Sequence, residues 1–138
     1  MTPLYAEVNR WLATDHRWGV ADCITLPADW VLRMTGADPA EDIRLTYGSA
    51  GEAQLAWRFF TDPLGCVAPR MDRCGLRVTT GPVAGDVGLL LISDGGPPMP
   101  HGALCLGGKW AVKTQASGVL AVDRPKIIAA WEVGYCAD

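Results

Sequence analysis

Two histidines and five cysteines stand in a chain of 138 residues, and one pair among them has the setting of nucleophilic catalysis. Cys23 opens a segment, from residue 22 or 23 to about 35, in which Ile24, Leu26, Ala28, Trp30, Val31, Leu32 and Met34 surround a helix almost completely. A cysteine at a helix N-terminus feels unpaired N–H groups and the positive end of the helix dipole. Its thiol pKa is therefore expected to be lowered toward thiolate. His101 opens an apolar strand segment just after the Gly- and Pro-rich residues 94–100. An imidazole set against the thiol by a neighbouring sheet would complete a nucleophile–base pair.

The other candidates read more plainly. Cys105 shares a strand face with His101 and Ala103 and is expected to pack on the central helix. Cys66 and Cys74 lie eight apart in a loop-rich stretch; they could pair or bind metal, but no CxxC or nearby histidine supports a zinc site. They read as structural or incidental, and Cys136 as incidental. No metal or cofactor is expected. His16 reads as a surface residue, with a place beside a cleft as the alternative. Asp22 suits a helix N-terminus and reads as structural. Trp18 and Trp30 read as core. Asp94 and its loop either shape a cleft or stiffen the connection.

The elements that must position these groups form one expected domain, 1–138. Leu4, Tyr5, Val8, Trp11 and Leu12 share one face of an N-terminal helix, with Pro3 in its first turn. Ser49-Ala-Gly-Glu52 is a capping box for a third helix that buries Ala53, Ala56, Trp57 and Phe60 and ends before Asp62-Pro63. Residues 63–84 are expected to be mostly loop with one strand near 77–79. Residues 86–93 (DVGLLLIS) read as an interior strand, followed by strands at 101–106, 110–115, 119–122 and about 130–135. Helices first and a meander after them predict an α+β domain, N-terminal helices packed on an antiparallel β-meander.

Composition narrows the function classes. With 12 basic against 15 acidic side chains and no Lys/Arg stripe, nucleic-acid binding is disfavoured. No apolar run is long enough to cross a bilayer, so membrane insertion is not expected. Residues 1–12 read as an amphipathic helix and not as a signal peptide, which predicts synthesis in the cytosol.

Three motifs in chain order resemble one family. Trp18-Gly19-Val20-Ala21-Asp22-Cys23 resembles the "WG…DC" entry of the NlpC-type cell-wall peptidases, which are compact papain-like cysteine hydrolases. Residues 85–90 (GDVGLL) resemble their "GDLVFF" strand, and residues 101–107 (HGALCLG) their "HVGIYLG" strand and hairpin. Residues 28–31 (ADWV) and 34–39 (MTGADP), with Arg44 and Tyr47, resemble a small phage, prophage and gene-transfer-agent branch of that superfamily. The resemblance implies a papain-like fold and a phage tail-associated peptidase or amidase acting on peptidoglycan. It implies Cys23 as nucleophile and His101 as general base, with N–H groups at the start of the Cys23 helix holding the oxyanion. Other tail-tip proteins would be its partners and the virion tail tip its location. A catalytically inactive tail-tip component on the same fold is the alternative, and an acyltransferase or deamidase of the same superfamily a third.

For the third member of the triad, the family motif lands on Lys113, whose charged amine cannot accept an imidazole N–H. A two-residue Gly107-Gly108 loop would set Thr114 opposite His101. A three-residue loop would set Gln115 there and gather Leu104, Leu106, Trp110 and Val112 on one face. Gln115 is the preferred candidate.

Overall fold

Proline and short polar side chains decide where the helices begin. In the computed structural model, which describes residues 1–136, the Thr2 hydroxyl accepts the Tyr5 N–H at 3.3 Å and Pro3 opens α1 (Pro3–Ala13). Residues 137 and 138, the end of the expected domain, lie outside the described residues. Helix α2 (Thr25–Thr35) ends at Gly36, whose φ of 81° supplies the left-handed cap. Pro27 sits in the first turn of α2, where its missing N–H has no intrahelical partner to lose. Ser49 caps α3 (Ala50–Trp57) by accepting the Glu52 N–H, and Glu52 in turn accepts the Gly48 N–H.

Residues 63–73 are helical and not loop. Asp62 accepts the Gly65 N–H and Pro63 takes the first position of α4 (Pro63–Arg73), which runs on through Pro69. Gly65 and the two prolines mask the helical spacing of Cys66 and Met71, the residues that α4 buries.

After a short β1 (Arg77–Val78) come β2 (Val87–Ile92), β3 (Met99–Cys105), β4 (Trp110–Thr114), β5 (Gly118–Val122) and β6 (Lys126–Glu132). The domain is α+β. Its six strands form one antiparallel sheet in the order β1-β6-β2-β3-β4-β5. The meander therefore covers β2 to β5, while β6 returns to lie between β1 and β2. The last strand begins at Lys126, four residues before its expected start.

The helices and one sheet face enclose the larger core, in which Trp11, Trp30, Val31, Phe59, Leu104 and Trp131 are all fully or almost fully buried. Trp30 ties α2 to the sheet by donating its Nε1–H to the Gly85 carbonyl at 2.8 Å. Burial around α2 is incomplete, because Leu32 and Met34 are exposed. On α1 the buried stripe is Leu4, Glu7 and Trp11, and Tyr5 and Leu12 face outward. Ala56 of α3 is likewise exposed, whereas Phe59, just past the end of the helix, is fully buried. Glu7 is admitted to the interior by three donors: Arg33, Arg10 and the Trp11 indole N–H. Burial alone would raise the Glu7 pKa, but these hydrogen bonds overcome it and hold the carboxyl below its ordinary value.

A second core of Leu90, Ile92, Ala103, Cys105, Trp110, Val112 and Ala130 occupies the opposite sheet face and contains strand residues only. Cys105 belongs here, so it does not pack on α2. The reason is alternation along β3: Leu104 faces the helices, so its neighbour Cys105 faces the other way. Leu104 pairs with Ala111 and Cys105 with Trp110 across a two-residue loop, with Gly107 at φ 103°. A three-residue loop would have moved every β4 side chain to the other face. Trp110 and Val112 thus join Cys105, while Leu104 faces the helices. Cys23, Cys66, Cys74 and Cys105 are free thiols, and of these all but Cys74 are buried.

Candidate active site

Asp22 builds the turn that presents Cys23. Its Oδ1 accepts the Ile24 and Thr25 N–H groups, both at 2.8 Å, and its Oδ2 accepts the Gly19 N–H at 2.7 Å and the Tyr47 hydroxyl at 2.8 Å. Cys23 therefore lies two residues before the first residue of α2, not within its first turn. The helix N–H groups that would have favoured a thiolate are already taken by a carboxylate next door. Burial first, and the Asp22 charge second, push the Cys23 thiol pKa up, opposite to the lowered value expected from a bare helix N-terminus. N–H groups of Gly102 and of Cys23 itself, directed at the sulfur, work the other way but do not prevail.

Cys23, itself buried, lies between two spaces. On one side is an apolar interior cavity of about 40 Å³ between α2, α4 and the sheet. On the other is an open cleft of about 240 Å³, whose walls include Cys23, His101 and Gln115. All three residues expected from the sequence thus border one space. Among the described residues no hydrogen bond joins the Cys23 thiol to the His101 ring. Gln115 is exposed on the cleft rim. Continuing the hairpin register sets Thr114, not Gln115, across from His101, although pairing between β3 and β4 stops at Leu104–Ala111. The strands part beyond that point.

Two backbone features hold β3 in place beside the thiol. A Cβ at Gly102 would overlap the Cys23 carbonyl oxygen, so glycine is what lets the start of α2 touch β3. The His101 Nδ1 lies 2.9 Å from the Met99 carbonyl. A carbonyl can only accept, so Nδ1 carries the hydrogen and the neutral ring keeps its lone pair on Nε2. A main-chain carbonyl two residues away thus fixes the tautomer, a role that no side-chain pattern in the sequence announces.

Lys113, where the family motif lands, is buried and faces α1. Its ammonium donates to the Trp11 carbonyl at 2.7 Å and to the Thr14 carbonyl, at the C-terminal end of the helix, where a cation is favoured. His16, two residues further on, borders the same cleft as Cys23, so its setting is the alternative one and not open surface. Its ring meets Trp18 edge-on at 4.7 Å. Burial, aided by the Lys113 and His101 charges and opposed by Asp22 and Asp94, lowers its pKa. Asp94 closes the far end: its carboxylate accepts the Ser117 hydroxyl at 2.7 Å and the Ala116 N–H at 3.2 Å, pinning the 94–100 loop to the β4–β5 turn. Among the described residues no three His, Cys, Asp or Glu side chains are placed to share a metal ion.

A family model described as a domain of unknown function, DUF6950, matches residues 2–133, nearly the whole chain. No curated protein and no solved structure matches the sequence.

Proposed function

We propose that this chain, which belongs to the DUF6950 family, is a papain-like cysteine hydrolase in which Cys23 attacks an amide carbonyl and His101 carries the proton. The observation that carries the reading is that Cys23 and His101 border one open cleft, with the His101 tautomer set so that Nε2 is the free acceptor. The thiol rests in its neutral form, because burial and Asp22 both disfavour the thiolate. Proton transfer to Nε2 therefore accompanies attack instead of preceding it. The Sγ–C bond forms, the imidazolium passes its proton to the leaving amine, and water later cleaves the thioester with His101 again as base. Gln115 is the polar side chain assigned to the third position, with the Met99 carbonyl sharing the task of orienting the ring. The substrate class, a peptide or amide bond of peptidoglycan, and the tail-tip setting rest on the three sequence motifs. Those motifs fall on the turn before α2, on β2 and on β3, the elements that surround Cys23 and His101.

One observation favours a second reading. The buried, protonated thiol makes no hydrogen bond to His101, which suits a structural tail-tip component that keeps the fold without the reaction. Digestion of purified peptidoglycan separates the two. The hydrolase releases fragments with new amine termini, detected by mass spectrometry, and Cys23→Ala releases none. Wild-type protein that gives no product above the Cys23→Ala control overturns the hydrolase reading.

A further inference from the structure

The chain has only two histidines, and both border the cleft that holds Cys23. His101 has a task in the proposed reaction; His16 does not. A thiol attacking a carbonyl also needs donors for the oxygen that becomes an oxyanion. The start of α2 is short of them. The Ile24 and Thr25 N–H groups are committed to Asp22, the Asp22 N–H to the Thr25 hydroxyl at 3.0 Å, and the Leu26 N–H to the Asp22 carbonyl at 3.0 Å. Among the described residues at the start of α2, the Cys23 N–H, directed at its own sulfur, is the one not given to another oxygen.

His16 borders the same cleft as Cys23. Arg17 and Ala21 form an antiparallel bridge, closed by N–H to carbonyl bonds in both directions, that folds residues 16–22 back on themselves. Continuing that register sets His16 across from Asp22, beside the peptide that carries the Cys23 N–H. Three contacts preorganise it: the edge-on Trp18 ring, the Arg17–Ala21 bridge and the Lys113 anchor on the Trp11 and Thr14 carbonyls. We propose that His16 is a second catalytic residue, whose ring N–H joins the Cys23 N–H as the oxyanion donor pair. The inference rests on the hydrolase reading above.

Two reactions of the same thiol isolate this role. With 4-nitrophenyl acetate, Sγ attacks the ester carbon, the carbonyl electron pair moves to oxygen, and collapse expels 4-nitrophenolate. With iodoacetamide, Sγ displaces iodide at a CH₂ carbon and no oxyanion forms. His16→Ala is expected to slow acylation about 100-fold while leaving alkylation unchanged, and His16→Gln, which keeps an N–H donor, to stay within about tenfold of wild type. His101→Ala is expected to slow both reactions. Circular dichroism checks that each variant is folded, and His16→Gln serves should His16→Ala fail to fold. Equal losses in the two reactions, or no loss in either, overturn the role of His16 alone. Wild-type protein that is not acylated above Cys23→Ala overturns the hydrolase reading and this inference together.

Discussion

Gly102 and Cys23 meet backbone to backbone: a side chain on Gly102 would overlap the Cys23 carbonyl oxygen and come within 3.3 Å of Pro27 Cγ. The contact is steric and not conformational, because Gly102 does not need a positive φ. Gly102→Ala is expected to push α2 away from β3 and to cost about 2 kcal/mol, within the range for an overpacked core. Urea titration of the variant measures this, and unchanged stability would show that the helix yields without strain.

Asp22 both shapes the turn and disfavours the thiolate. Asp22→Asn keeps acceptors for the Ile24 and Thr25 N–H groups but turns an amide toward the Gly19 N–H. Stability is expected to fall by about 2 kcal/mol, as for one unpaired buried donor. Removing the charge also lowers the Cys23 pKa, so alkylation at pH 8 should be faster than in wild type. A slower rate would show that Asp22 acts on the thiol only through the fold.

The neutral thiol leaves a mark on alkaline stability. The folded pKa of Cys23 lies above its unfolded value, so the contribution is complete below about pH 8.5 and is lost as pH rises toward the folded value. Burial moves Cys66, Cys74 and Cys105 the same way. The unfolding free energy should therefore fall from about pH 8.5 upward, and in Cys23→Ala it should fall less steeply by about 1 kcal/mol per pH unit. Equal slopes in the two proteins would place the Cys23 sulfur in water.

Glu7 carries the opposite pH signature. Its folded pKa is depressed, so its contribution is present above the ordinary carboxylate value and is lost as pH falls through the folded one. Glu7→Gln leaves the Trp11 N–H an acceptor but removes the charge facing Arg33 and Arg10, whose side chains are 42% and 51% exposed and can hydrate. The loss at pH 7 should be about 2 kcal/mol, below that of a fully buried pair. The gap between wild type and variant should close in strong acid, as read from urea midpoints at pH 7 and pH 2.

Lys113→Met tests the anchor. At the end of α1 the part-buried Thr14 carbonyl loses the ammonium and the Trp11 carbonyl keeps only the longer Thr14 N–H bond, with an expected cost of about 2 kcal/mol and a thermal midpoint lower by several degrees. Calorimetry measures it. A variant as stable as wild type would show that water replaces the ammonium there.

Local chemistry made part of this legible. The Gly36 cap, the Ser49 box, the Pro3 start and the apolar β2 run are near-neighbour effects, and each element lies close to where its residues place it. Helix α4 was hidden because Pro63 and Pro69 read as breakers, although Pro63 occupies the one turn that welcomes it. The face of Cys105 is misread when the alternation along β3 is counted from His101 as a residue set against α2, because Gly102 and Leu104 are the ones that face the helices. At the site, Cys23, His101 and Gln115 came from short motifs. The anchoring role of Lys113 and the thiol's raised pKa did not. The first depends on carbonyls about a hundred residues away, and the second on which atoms occupy the helix amides first.

The strand order has a consequence for how the chain is made. Because β6 inserts between β1 and β2, the sheet is completed in its interior by its last strand to be synthesised. Until then the facing edges of β1 and β2 are open templates for foreign strands. A ribosome-bound chain stalled before Lys126 should therefore need a holdase, and release of the final strand closes the gap from within.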